Sequence, residues 1–77
     1  MTTSLKNKVL NFERIATENT IIDITRQLWE GKRTLKAIAA ECRIFEQQSQ
    51  DDYSKAAFAR LADCKTRVDF WNVLNTL

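Results

Sequence analysis

The stretch Ile21-Ile22-Asp23-Ile24-Thr25-Arg26-Gln27-Leu28-Trp29-Glu30-Gly31-Lys32-Arg33-Thr34-Leu35-Lys36-Ala37-Ile38-Ala39-Ala40-Glu41-Cys42-Arg43-Ile44-Phe45 decides the fold class. Within it Ile21, Ile24, Leu28, Gly31, Leu35, Ile38, Cys42 and Phe45 recur at steps of three and four, a spacing that places all of them on one face of a helix. Only Gly31 departs from the apolar rule. Asp23, Arg26, Glu30, Arg33, Lys36, Glu41, Arg43 and Glu46 fill the flanks, so the pattern predicts one amphipathic, coiled-coil-like helix over about 20–48. Asn19 or Thr20 is the expected cap, with Asp23 beside the free amides of the first turn.

Downstream, Gln47-Gln48-Ser49-Gln50-Asp51-Asp52 interrupts the periodicity, and Ser49 to Asp52 has the S-x-x-D form of a helix start. A second seam follows through Tyr53, Ala57, Leu61, Cys64, Val68 and Trp71, which predicts a helix over about 51–75. Two helices of such similar length, joined by a short connection, become antiparallel neighbours, each on the order of 40 Å long at about 1.5 Å per residue. Upstream, Leu5, Val9, Phe12 and Ala16 mark a shorter helix over about 4–16, with Thr17-Glu18-Asn19-Thr20 as a soft break of low helix propensity; no Pro or Gly enforces the break, so direct continuation into the next helix is the alternative. The expected fold is therefore all-α: an antiparallel helical hairpin with a shorter N-terminal helix, forming one domain over residues 1–77.

Composition supports this. The 77 residues include no proline and one glycine, so the chain lacks the punctuation that β-hairpins require. Twelve basic and ten acidic residues leave a formal charge of +2, too little for the electrostatic footprint of a dedicated nucleic-acid binder. With no histidine and two cysteines, Cys42 and Cys64, neither a metal site nor a histidine-activated thiol is expected, and no cofactor. Both cysteines fall on seam positions, where Cys behaves as a small buried hydrophobe. One glycine cannot build a phosphate loop or a nucleophile elbow, so no catalytic role is expected. No signal-peptide-like or membrane-spanning apolar run occurs, and the cytoplasm is the expected location.

A chain this short buries a limited share of its surface and gains from a partner. A two-helix seam cannot also cover the flanking apolar residues Ile22, Trp29, Phe58, Phe70 and Val73, which makes these the candidate protein-binding residues unless the N-terminal helix encloses them. Folding about residue 49 brings positions 29 to 31 opposite 67 to 71. Gly31 costs about 1 kcal/mol in a helix interior, so it is expected to make room for a facing backbone or a large side chain such as Trp71, with a kink or a partner's side chain as the alternative. Arg26, Lys32, Arg33, Lys36 and Arg43 form a basic flank interleaved with acids, read as a solvated face. Asp63 and Arg67, four apart, read as a surface pair along one helix.

In its length, its Met1-Thr2-Thr3 opening and its two long helices around Gln47-Gln48-Ser49-Gln50-Asp51-Asp52-Tyr53, the chain resembles the YscE/SsaE family of type III secretion. That resemblance implies a co-chaperone that pairs with a larger helical-repeat chaperone and keeps a needle-forming subunit monomeric in the bacterial cytoplasm. It carries over no individual site residue. The alternative expectation is a small homodimeric helical regulator of phage or plasmid type, acting on nucleic acid or a transcription complex through Arg33 and Lys36. The partner is then another protein or a second copy of the chain.

Overall fold

The computed structural model describes the backbone of residues 3–77 and the side chains from Asn11 onward, and it is all-α. Four helices follow one another: α1 (Thr3–Trp29), α2 (Leu35–Gln48), α3 (Asp52–Ala62) and α4 (Arg67–Thr76). The expected helix over 20–48 is thus divided at Gly31, and the one over 51–75 is divided at 63–66. The expected N-terminal helix is no separate element, because α1 runs without interruption through Thr17-Glu18-Asn19-Thr20.

Each correction has a local cause. Gly31 adopts φ +73°, a left-handed conformation that costs an L side chain about 1–2 kcal/mol. Its amide donates to the Leu28 carbonyl (3.2 Å) and the Lys32 amide to the Gln27 carbonyl (2.9 Å), the paired bonds of a Schellman stop. A Cβ at Gly31 would meet nothing within 4 Å, so neither a facing backbone nor Trp71 explains the glycine. Thr34 then caps α2 by accepting from the Ala37 amide. Asp63 closes α3, and Thr66 caps α4 by accepting from the Asp69 amide (3.0 Å) while Asp69 accepts from the Lys65 amide (3.3 Å). Across 17–20 tertiary contact outweighs propensity: Thr17 is buried against Ser54, their hydroxyls 2.7 Å apart, and the Thr20 hydroxyl donates back to the Ala16 carbonyl. Neither Asn19 nor Thr20 caps anything. The turn after α2 stands where the sequence places it, but Asp51 rather than Ser49 caps α3, accepting from the Ser54 amide, and the Ser49 hydroxyl donates to Phe45.

α2 and α3 form the hairpin, their connection no longer than residues 49–51, with the Phe45 and Phe58 rings tilted against each other at 5.1 Å near the turn. α1 lies along this pair. The Glu13 carboxylate accepts from the Gln50 and Asp51 amides (2.8 and 3.2 Å), the Thr17–Ser54 pair follows, and Ile21, Ile24 and Leu28 enter the core. There they meet Ile38, Cys42, Ala57, Phe58, Leu61, Cys64 and Phe70. Burying a side chain such as Leu28, Ile38 or Leu61 contributes about 1.5–3 kcal/mol, so this single layer is the main cohesive element. α4 folds back at the far end, where Phe70 closes the core and Arg60 of α3 donates to Thr76. The molecule extends 45 × 20 × 19 Å. Of the stripe expected on the N-terminal helix, Leu5 and Val9 lie outside the described side chains, and Phe12 is exposed.

Candidate protein-binding face

The far end of the molecule is where the apolar surface collects. α1 stops one residue after Leu28, and that stop leaves Trp29 on the rim with 43% of its surface open. α4 begins at Arg67 because of the Thr66 cap, and this start sets the phase of the helix. Phe70 points inward and is fully buried, whereas Val68 (68% exposed) and Trp71 (51%) point outward. The Trp29 ring sits 5.6 Å from Trp71 and 6.4 Å from Phe70, both tilted, the offset geometry that aromatic pairs favour. Arg67 lays its guanidinium over the Trp29 face at 4.7 Å. Trp29, Arg67, Val68 and Trp71 together line an open apolar recess of about 490 Å³.

A second recess of about 340 Å³ continues toward the C-terminus of α4, lined by Glu18, Ile21, Ile22, Tyr53, Leu74 and Leu77. Ile22 and Trp29 are seven residues apart and share one strip of α1; both recesses are walled by α1 and α4, and together they are the α1–α4 groove. Ile22 is 57% exposed and Ile15, a further seven residues back, is 58% exposed. α1 is therefore apolar on two sides, one facing the hairpin and one facing water.

Of the five candidate residues, Ile22 and Trp29 stand on this groove and Val73 is half-buried against the core. Phe58 and Phe70 belong to the core instead: Phe58 is buried with its ring against Phe45, and the phase of α4 turns Phe70 inward. The register that places 29 to 31 opposite 67 to 71 holds, carried by Trp29 against Arg67, Phe70 and Trp71. Arg67 and Val68 were missed, as was the outward turn of Trp71. The Thr66-x-x-Asp69 cap was the signal for all three, since a helix restarting there no longer continues the seam through Cys64.

Elsewhere the polar groups are matched to one another. Arg26 has Asp23 at 3.7 Å, Lys32 has Glu30 at 3.5 Å, Arg33 has Glu41 at 3.0 Å, and Arg43 has Glu46 at 2.7 Å. The hydrogen bonds that Arg33 donates to Glu41, and Arg43 to Glu46 and Asp63, hold these guanidinium groups in the charged form. Asp63 meets Arg43 of α2, not Arg67. Both thiols are free and buried; burial first, then the nearby Glu41 and Cys64, pushes the Cys42 thiol up to about 12, and burial likewise raises that of Cys64. Among the described residues no group of three or more Cys, Asp and Glu could hold a metal ion, and no helix is long and apolar enough to cross a membrane. No protein-family model matches the chain, no characterised protein matches its sequence, and no solved structure matches its fold.

Proposed function

We propose that this chain is a protein-binding subunit that receives a helix of a larger partner in the α1–α4 groove, with no catalytic step. The observation that carries this is the pair Trp29 and Trp71, in mutual contact yet each about half open, on a recess that Val68 also lines. Large aromatic side chains held rigidly at a recess are the residues that dominate interface energetics, and an apolar groove between two helices suits a third helix. The role that fits this face and the family resemblance is co-chaperone: pairing in the bacterial cytoplasm with a larger helical-repeat chaperone that keeps a type III secretion needle subunit monomeric.

The test is site-specific photo-crosslinking in the producing cell, with the photoreactive residue at Val68 and, as a control, at Lys55 on the exposed side of α3. A discrete adduct from position 68 and none from 55 is expected, and mass spectrometry of the adduct identifies the partner. A partner that is no secretion chaperone removes the co-chaperone role but keeps the binding face. Absence of any adduct from position 68 removes both.

A further inference from the structure

Within the binding reading just given, on which this step depends, the groove also specifies the chemistry of its occupant. We infer that the partner helix carries an acidic side chain beside its apolar anchors, placed to meet Arg67 and Arg26 at the Trp29 end.

Arg67 is the central observation. Its guanidinium lines an otherwise apolar recess, packed on Trp29 at 4.7 Å. Among the described residues it has no carboxylate within ion-pair distance; Arg26, Arg33 and Arg43 each have at least one, and of the arginines without one, Arg14 sits over Tyr53 and Arg60 donates to Thr76, which leaves Arg67 as the one on the lining of the Trp29 recess. The nearest candidate in sequence, Asp69, is turned away to the Lys65 amide, and Glu30 is paired with Lys32. A guanidinium seated over an aromatic ring still has its N–H donors to offer, and their fork suits a carboxylate, which accepts a pair of hydrogen bonds. Arg26 stands four residues after Ile22 and three before Trp29 on the same strip of α1, and its one ion pair among the described residues is an exposed 3.7 Å contact with Asp23. The Trp29 end of the groove is therefore cationic around an apolar centre. The opposite recess has Glu18 on its lining and Arg14 over its Tyr53 ring at 4.5 Å, charges that offset each other, so the acidic group of the occupant belongs at the Trp29 end.

The same charges argue against a second copy as the occupant. A two-fold interface centred on this end presents identical patches to each other, and it would gather Arg26 and Arg67 of both copies into one cationic patch.

Trp29 and Trp71 are the only tryptophans of the chain, and both line the recess, so intrinsic fluorescence reads its occupancy directly. The probes are two synthetic amphipathic helical peptides of about 20 residues with the same leucine face, one flanked by glutamate and the other by lysine. The glutamate peptide is expected to shift the emission to shorter wavelength and to bind at least about ten-fold more tightly at low salt, the advantage shrinking as salt is added. Arg67→Gln should bring the ratio toward one, whereas Lys55→Gln, the same charge change on another face, should leave it intact. Equal binding of both peptides, or a ratio untouched by Arg67→Gln, overturns the acidic partner while keeping a protein-binding groove. No emission change with either peptide overturns the groove itself. Two further results also overturn the inference: a larger emission shift with phosphatidylserine vesicles than with the glutamate peptide, or concentration-dependent self-association that Trp71→Ala abolishes.

Discussion

Gly31 shows how much one dihedral angle decides. In the middle of a continuous helix, Gly31→Ala would stabilise the chain by about 1 kcal/mol; at φ +73° the same substitution strains the backbone and destabilises by about 1–2 kcal/mol. Since an added Cβ meets nothing, packing does not blur the sign. Urea unfolding of Gly31→Ala should show the loss, with Gly31→Asn intermediate, and a gain would restore the unbroken helix. Cys42 makes a second residue-scale case. Its thiol ionises near 12 in the folded protein and at about 8.5 when unfolded, so the neutral form that suits the core contributes fully below that lower value. Above it the unfolded chain loses protons that the folded chain keeps, and stability falls as pH rises toward 12. Cys42→Ala should cost stability at pH 7 but flatten this alkaline limb, and unfolding curves measured on both proteins across the range would reveal an unchanged limb if the thiol plays no part.

At the scale of elements, what the sequence made legible was the apolar face and what it concealed was the phase. Steps of three and four run straight through Gly31 because Leu28 and Leu35 both point at the core on either side of the stop. A helix that ends and restarts in register leaves no gap in the periodicity, so only the cap chemistry, Gly31 and Thr34, recorded the break. The same holds at Thr66, where Val68 and Trp71 look like the continuation of a seam but Phe70 is the residue that arrives in the core. Helix α1 is the reverse case: its threonines suggested a boundary, and a contact thirty-seven residues away removed it. That contact gives the prediction at this scale. Thr17→Val or Ser54→Ala leaves the other buried hydroxyl without its main partner and should cost about 1–3 kcal/mol, while the double variant, with both hydroxyls gone, should cost less than the sum. Strict additivity in urea unfolding would mean that the pair does not hold α1 to α3.

For the molecule as a whole, stability and binding are divided between adjacent side chains of α4. Phe70 is fully enclosed with Ile38, Leu61 and Cys42 in the only buried layer among the described residues, while its neighbour Trp71 faces outward on the groove. Phe70→Ala should open a cavity and cost about 3–5 kcal/mol, a large fraction of what so small a domain has, and Leu28→Asp or Leu61→Asp should prevent folding altogether by burying an unpaired charge. Trp71→Ala removes a side chain that is half in water, so circular dichroism and thermal unfolding should change little, yet the adduct formed from position 68 should vanish. Trp29→Ala should fall between these, since its ring touches both Phe70 and Trp71. If Trp71→Ala instead unfolds the chain as Phe70→Ala does, the groove is part of the core and holds no place for a partner; if both leave helicity intact, Phe70 does not close the fold.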